Sequence, residues 1–212
     1  MLERPFPLRQ PPPETRRRRL ARRLAAPHRP FGWALQAIGR ADQRALVALR
    51  TRGHSALGVR TAQGLGYFGE MGSGWIALGV LGALARPERQ RQFLSAAAAA
   101  PIAILANYSV KLTIGRQRPL IDDHPPLARA PSKLSFPSAH STSSVAGAVV
   151  LARVAPGARP ALYALAGAVC LGRPYLGMHY PSDVAAGVVL GYALGKLYPL
   201  PAAAEPQADV PR

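Results

Sequence analysis

The chain has 212 residues, of which 49% are hydrophobic but only 7% aromatic, and its formal net charge is +17. This length suits one domain with a real core, and the balance suits helices packed closely in lipid better than a water-soluble sheet protein. The single cysteine, Cys170, lies in an apolar run and excludes an internal disulfide. The high charge raises nucleic-acid binding as a function, so its distribution along the chain matters.

Much of the positive charge lies in the first 30 residues, where nine arginines stand against two glutamates in a Pro-rich stretch. No apolar period accompanies them, so we expect residues 1–30 to be disordered. One interpretation is binding to nucleic acid or to anionic lipid headgroups. We favour a cytoplasmic tail that fixes membrane topology, because aromatic residues are not interleaved with the arginines and the remaining chain is apolar. No nucleic-acid partner is expected.

The next part of the chain predicts an all-α, multi-pass membrane helix bundle. Residues 31–60 are typical of one or two amphipathic helices, too charged to span a bilayer and better suited to its interface. Five apolar segments then predict about five spans within a membrane domain at residues 61–200, followed by a disordered end at residues 201–212. The segments are Leu65–Ala85, Phe93–Val110, Ala139–Ala152, Ala161–Gly172 with an extension to Met178, and Val184–Leu200. Several reach the length of a span only if adjoining polar residues belong to the same helices.

The last apolar segment carries Gly187, Gly191 and Gly195 at four-residue spacing. In lipid, such a stripe of small residues lets a second helix approach closely. The stripe therefore predicts close helix packing and says nothing about chemistry.

Three polar stretches, Lys111–Pro119, Phe136–Thr142 and Arg173–Asp183, lie at the ends of apolar segments. A bundle can bring all three to one face of the membrane. Three permanent cations lie among them, and the two guanidinium groups suit phosphate oxygens. These cations are Lys111, Arg118 and Arg173.

The second stretch predicts an anion-binding helix start. Ser138 follows a proline and precedes an apolar helix, so we expect it to cap that helix. The backbone N–H groups of Ala139 and His140 would then face an anion, with the helix dipole behind them.

Two histidines and an aspartate supply groups for catalysis. His179 and Asp183 are four residues apart, and Pro181 suits the first turn of the last helix. Asp183 can therefore accept a hydrogen bond from one imidazole nitrogen, which leaves the other unprotonated and aimed at phosphorus. His140 remains as a proton donor for the leaving oxygen. The adjacent residues 122–124, Asp-Asp-His, diverge and have no partner cluster, so neither a metal site nor a cofactor is expected.

Together the three stretches resemble the signature of the type 2 phosphatidic acid phosphatase (PAP2) superfamily, which also includes the vanadium haloperoxidases. That signature is Lys-x6-Arg-Pro, then Pro-Ser-Gly-His, then Ser-Arg-x5-His-x3-Asp. Two positions depart from it: Ala139 stands where the family usually has Gly, and Gly172 where it usually has Ser. Neither change removes a group that makes or breaks a bond, so activity is still expected. The matching residues are Lys111, Arg118, Pro119, Pro137, Ser138, His140, Arg173, His179 and Asp183.

The resemblance implies a PAP2/haloperoxidase-like helical core and a metal-independent lipid phosphatase. It implies that His179 attacks phosphorus, that His140 protonates the departing alcohol, and that water then hydrolyses the phosphohistidine. The three cations and the turn at residues 138–140 would hold the equatorial phosphate oxygens, where positioned donors contribute most.

A catalytic face built from helix ends implies a substrate with a phosphate head and an apolar tail in the cell membrane. Phosphatidate, undecaprenyl pyrophosphate and other polyprenyl phosphates all fit. The stretch Gly66–Trp75 resembles small bacterial family members that dephosphorylate polyprenyl phosphosugars. Glu70 within it is either functional or an interfacial charge.

Three alternatives stay open at this point. A vanadate-dependent haloperoxidase would use the same cations, although the apolar segments count against it because those relatives are larger and soluble. A non-catalytic lipid-phosphate-binding membrane scaffold would be signalled by loss of His179 or Asp183, and both are present. The third alternative is a soluble all-α domain, with which the modest mean hydropathy of the whole chain is consistent.

Membrane topology is open as well. If the short basic loops at residues 86–91 and 153–159 are inside, the catalytic loops are outside, but the Arg-rich tail is then outside too. Either residues 31–60 re-enter the membrane or the catalytic face is cytoplasmic.

Overall fold

The computed structural model describes residues 32–121 and 124–202, and in these ranges the regular structure is helical apart from one isolated bridge between Gln117 and Leu134. The expected all-α class is confirmed. The expected disordered tail at residues 1–30, and residues 203–212 of the expected disordered end, lie outside the described residues. The helices are α1 (Gly32–Thr51), α2 (Ala56–Gly69), α3 (Ser73–Ala85), α4 (Gln90–Ala97), α5 (Ala99–Ile114), α6 (Ala139–Val154), α7 (Arg159–Tyr175) and α8 (Pro181–Leu197).

The predicted amphipathic segment forms α1 and the start of α2, which are separated by a turn at Gly53 with a φ of +69°. Ser55 caps α2 by accepting a hydrogen bond from the Gly58 N–H at 3.0 Å. In the second half of α1, Asp42, Leu46 and Arg50 are buried at four-residue spacing, so one face of the helix packs on the protein. An interfacial position for this segment stays a prediction.

The first apolar segment, Leu65–Ala85, is helical but bent. A 3₁₀ turn at Glu70–Gly72 separates α2 from α3, and in it Met71 and Gly72 have φ values of +50° and +75°. Gly72 packs on α5, since a Cβ at this position would lie 3.0 Å from the Ala100 Cβ. The bend leaves the Glu70 carboxylate half exposed beside the start of α6.

Two continuous helical stretches, Ala56–Ala85 with 30 residues and Pro87–Ile114 with 28, are long and apolar enough to cross a membrane. Helices α6, α7 and α8 have only 16, 17 and 17 residues, fewer than the roughly 20 of an ideal span. The count of about five spans therefore stays a prediction. Large apolar side chains on the helices are more than two-thirds exposed, as on a surface that faces lipid, at Leu57, Leu84, Leu105, Leu112, Leu171, Val189 and Leu197.

Helix α6 is central, with 12 of its 16 residues buried between α5, α7 and α8. The glycine stripe of α8 lies directly on it. A Cβ at Gly187 would lie 2.7 Å from the Ser138 carbonyl oxygen, and one at Gly195 would lie 2.8 Å from the Val149 Cβ. The predicted close approach is confirmed, and it places the start of α8 beside the start of α6.

Candidate active site

Most of the predicted site residues line one cavity, because α5 and α7 end where α6 and α8 begin. Six of the eight predicted residues line it, and the other two, Ser138 and Asp183, lie directly behind it. The Ser138 N–H donates to the Asp183 carbonyl oxygen at 3.0 Å, which joins the starts of α6 and α8. The six lining residues are Lys111, Arg118, Ala139, His140, Arg173 and His179.

His179 lies between α7 and α8 and is almost fully buried. Its Nε2 is 3.0 Å from Nη1 of Arg118, and a guanidinium can only donate, so Nε2 is the acceptor and the ring proton is on Nδ1. Burial, with the charges of Arg118 and Arg173, lowers the pKa of His179 to about 3. The neutral ring therefore presents an unprotonated nitrogen to the cavity, as a nucleophile requires.

Asp183 is placed to orient that ring, but the predicted hydrogen bond is not formed. The His179 Nδ1 and the Asp183 Oδ2 are 3.7 Å apart, and Nδ1 has no hydrogen-bond partner among the described residues. The carboxylate is itself fixed, since Oδ2 accepts the Tyr180 N–H at 2.9 Å and Oδ1 accepts Arg116 Nη1 at 2.8 Å. Catalytic hydrogen bonds are often long in a free enzyme and tighten when substrate binds.

His140 also lines the cavity, from the first turn of α6. Its Nε2 is 3.1 Å from the Gly66 carbonyl oxygen and 3.5 Å from a carboxylate oxygen of Glu70. The carbonyl can only accept, so Nε2 carries the proton. Glu70 is therefore within reach of the predicted proton donor, and the signal in the sequence for this residue was a charge within an apolar segment.

The three predicted cations differ in their surroundings. Lys111 Nζ donates to the carbonyl oxygens of Pro137 at 2.8 Å and Ser135 at 3.3 Å, so it holds the loop before α6 as well as lining the cavity. Arg118 Nε donates to a loop carbonyl at 2.8 Å. Arg173 is buried, and its Nε has no hydrogen-bond partner among the described residues. A buried donor left unpaired beside a cavity is suited to an anion.

The helix cap follows the prediction. Ser138 has extended dihedrals, φ −69° and ψ 114°, and its Oγ accepts the Ser141 N–H at 3.4 Å. Ala139 begins the helix, and Met71 is the one non-glycine residue with positive φ in the described part of the chain. The replacement of the family's glycine by Ala139 therefore causes no backbone strain, and the N–H groups of Ala139 and His140 stay available.

A group of hydrogen-bonded residues that contacts the Asp183 carboxylate was not predicted from the sequence. Arg116 Nη2 donates to Asp42 Oδ2 at 2.8 Å while its Nη1 donates to Ser182 Oγ at 2.7 Å and to Asp183. The Ser182 N–H donates to Asp42 Oδ1 at 2.9 Å, and the Ser182 hydroxyl donates to Oδ2. The guanidinium also lies 4.1 Å from the centre of the Tyr180 ring. No motif in the sequence predicted these contacts.

In the described residues, no three His, Cys, Asp or Glu side chains lie together as metal ligands would. The Asp-Asp-His cluster considered above falls partly outside this range, because residues 122 and 123 are not described.

Comparison with known proteins gives consistent matches. The model of the PAP2 superfamily matches residues 92–202. A decaprenylphosphoryl-5-phosphoribose phosphatase of Mycobacterium tuberculosis is 45% identical over 140 residues, which cover 65% of this chain and 76% of that protein. Its counterpart in Mycolicibacterium smegmatis is 43% identical over 152 residues, 70% of this chain and 82% of that protein. The crystal structure of a transmembrane PAP2 type phosphatidylglycerolphosphate phosphatase from Bacillus subtilis is similar with a TM-score of 0.63 and 25% identity, covering 76% of this chain and 84% of that one.

Proposed function

This chain belongs to the PAP2 superfamily, and we propose that it removes the phosphate of a polyprenyl phosphosugar through a phosphohistidine on His179. It is a lipid phosphate phosphatase, as its relatives are. One observation carries the proposed mechanism: a buried, neutral His179 turns its unprotonated Nε2 to a cavity that also holds Arg118 and the unpaired Arg173.

In the first step, the phosphate group enters the cavity. Arg118 Nη1 then donates its hydrogen bond to a phosphate oxygen instead of to His179 Nε2, which frees that nitrogen. Nε2 then attacks phosphorus, forming the P–N bond as the bond to the leaving oxygen breaks. His140 acts here in its doubly protonated form, beside the Glu70 carboxylate. It gives its Nε2 proton to the leaving oxygen, so the alcohol departs neutral and His140 is left as a neutral imidazole. The imidazolium that forms on His179 is stabilised by the Asp183 carboxylate beside Nδ1.

The second step returns the enzyme to its starting state. His140, now without its proton, accepts one from water, and the resulting hydroxide attacks phosphorus from the side that the alcohol left. The P–N bond breaks, its electron pair returns to His179 Nε2, and inorganic phosphate is released. Arg118, Arg173 and the N–H groups of the first turn of α6 would stabilise charge on the phosphate oxygens in both steps.

The substrate class follows from the names of the two mycobacterial relatives, which are phosphatases of a 5-phosphoribose carried on decaprenyl phosphate. These relatives support the polyprenyl phosphosugar over the other lipid phosphates that fit the sequence. A primary sugar alcohol is a poor leaving group, which is consistent with a proton donor on the cavity wall.

We further infer a multi-pass position in the cell membrane for residues 61–200. The two long apolar helical stretches and the exposed apolar side chains of α2, α3, α5, α7 and α8 support it. An interfacial position for residues 31–60 is part of the same proposal, with the helix face of Asp42, Leu46 and Arg50 turned to the protein.

The test is phosphate release by the full chain in detergent, with EDTA present. We expect the highest kcat/KM on a decaprenyl-linked 5-phosphoribose, lower values on phosphatidate and polyprenyl monophosphates or pyrophosphates, and inhibition by vanadate as a phosphate mimic. If EDTA abolished turnover and magnesium restored it, the mechanism would be wrong. If phosphatidate or a pyrophosphate were the best substrate, the substrate class would be wrong while the mechanism could stand.

A further inference from the structure

A cleft of about 890 Å³ opens beside the catalytic cavity and shares Glu70, Pro131 and Arg173 with it. The catalytic cavity measures only about 30 Å³, so the group attached to a phosphate bound there must lie outside it. The cleft is bounded by one face of α2 and by the loop before α6, and its other lining residues are Gln63, Gly66, Tyr67, Leu127, Arg129 and Leu176, with Pro126, Ala128 and Ala130.

The proton donor indicates that the leaving group extends into this cleft. His140 Nε2 contacts the Gly66 carbonyl oxygen at 3.1 Å and a Glu70 carboxylate oxygen at 3.5 Å, and both residues line the cleft. A general acid must lie next to the oxygen that it protonates. The leaving oxygen therefore lies at the junction of the two cavities, and the rest of the leaving group follows it into the larger one.

The cleft offers a second cation as well as polar groups. Arg173 belongs to the catalytic cavity, but Arg129 lines only the cleft, is exposed, and makes no hydrogen bond or ion pair with any described residue. Gln63 donates its Nε2 to the Leu127 carbonyl at 2.8 Å, which orients its side-chain oxygen as an acceptor. Tyr67 is 77% exposed. An unpaired arginine, an oriented amide and an exposed aromatic ring suit a sugar that carries an additional anionic group.

We infer that this cleft is a second anion subsite, in which Arg129 binds the phosphodiester that links the sugar to its lipid while Gln63 and Tyr67 contact the sugar. The inference rests on the proposed function, because it concerns the leaving group of that reaction. It gives the enzyme a means of distinguishing a substrate with two phosphate groups from a simple phosphomonoester such as phosphatidate.

The test compares Arg129→Gln with Arg91→Gln, which removes the same charge from an exposed position on α4 that lines neither cavity. Each variant is assayed with decaprenyl-linked 5-phosphoribose, which has two phosphate groups, and with 4-nitrophenyl phosphate, which has one. We expect Arg129→Gln to reduce kcat/KM on the first substrate at least about tenfold more than on the second. We expect Arg129→Lys to recover part of the loss, and Arg91→Gln to match the wild type on both.

A soluble inhibitor separates the second phosphate from the lipid. Ribose 1,5-bisphosphate should compete with 4-nitrophenyl phosphate more tightly than ribose 5-phosphate in the wild type, and Arg129→Gln should abolish that difference. Equal losses on both substrates, or no loss on either, would overturn the inference. Failure of the wild type to hydrolyse the lipid phosphosugar would overturn the proposed substrate instead, and the two inhibitors would still test the subsite.

Discussion

The two histidines of the cavity differ in what they contact, and their variants should differ in the same way. His179 carries the unprotonated Nε2 and is the proposed nucleophile, so we expect His179→Ala to form no covalent intermediate and to be inactive on every substrate. In the proposed mechanism His140 supplies a proton, which a nitrophenolate leaving group does not need. His140→Ala should therefore retain far more activity on 4-nitrophenyl phosphate than on the lipid, relative to the wild type.

Acid-quench trapping with labelled substrate checks this assignment. Labelled phosphate should be found on the wild-type protein and not on His179→Ala, with thermal unfolding used to establish that both variants fold. Label that persisted on His179→Ala would move the nucleophile elsewhere. Equal losses of His140→Ala on the two substrates would remove it as the general acid.

Arg118 should be sensitive even to a change that keeps its charge. Its guanidinium donates to the carbonyl oxygens of Ser132 and Met178, each at 2.8 Å, as well as to His179 Nε2. A lysine ammonium cannot reproduce this planar set of donors. We expect Arg118→Lys to lower kcat/KM at least about tenfold, which corresponds to about 1.4 kcal/mol. Activity near that of the wild type would remove Arg118 from the phosphate site.

At the scale of single residues, the sequence predicted the positions of those residues that belong to a recognised motif. The spacing of the three stretches predicted the shared cavity, and the Ser138 cap and the first-turn Pro181 are present as expected. The sequence also predicted a hydrogen bond between His179 and Asp183, whereas Nδ1 and Oδ2 are 3.7 Å apart. His179 precedes the first turn of α8, and the four-residue spacing does not encode the orientation of its ring.

At the scale of helices, α1 contributes to the site through Asp42. This buried carboxylate accepts from Arg116, which in turn holds Asp183. Asp42→Asn leaves Arg116 with fewer acceptors, so we expect a stability loss of about 1–3 kcal/mol and a fall in kcat. Because the proposed role of Asp183 is in the attack step, the fall should be equal on 4-nitrophenyl phosphate and on the lipid. The exposed Glu88→Gln serves as control.

If Asp42→Asn lowered kcat more on the lipid than on 4-nitrophenyl phosphate, Asp42 would act through the proton donor instead. If kcat were unchanged, Asp42 would have a purely structural role. The sequence could not reveal this link. Asp42 and its partner Ser182 are 140 residues apart along the chain, and a carboxylate in an arginine-rich amphipathic helix is typical of a solvated surface.

The contact between α6 and α8 predicts a sharp difference between two glycines. A Cβ at Gly191 would overlap the Thr142 backbone, whereas nothing lies within 4 Å of a Cβ at Gly167 in α7. Gly191→Ala should lower the apparent free energy of unfolding by about 1–3 kcal/mol, because the helices must separate. Gly167→Ala should be neutral or raise it by up to about 1 kcal/mol through helix propensity. Thermal unfolding in detergent compares them, and a stable Gly191→Ala would contradict the close packing.

A bend inside one predicted helix could not be read from the pattern of apolar residues. The apolar segment Leu65–Ala85 predicted one helix, yet it bends at Met71 and Gly72, where positive φ values interrupt it. Hydrophobicity alone does not report such a bend, because both halves remain apolar. The bend follows Glu70, which lies beside His140 and lines both cavities.

For the whole molecule, the order of the helices and the charges of the loops predict an orientation. If each apolar stretch crosses once, the end of α5, the start of α6, the end of α7 and the start of α8 share one face of the membrane. The segments at residues 40–60 and 115–138 on that face hold nine Lys and Arg, against five in the opposite loops at residues 86–91 and 153–159, and the Arg-rich tail precedes the first of them. The positive-inside rule then predicts a cytoplasmic active site.

Cysteine accessibility in intact cells tests this orientation. Cys170 is buried and can be replaced by alanine, after which single cysteines are introduced at exposed positions in opposite loops, Lys133→Cys and Gly157→Cys. A membrane-impermeant maleimide should label Gly157→Cys in intact cells and Lys133→Cys only after lysis. The reverse pattern would put the active site outside and would mean that the loop charges at residues 86–91 and 153–159 decide the topology. Labelling of both in intact cells would contradict the assumption that these loops lie on opposite faces.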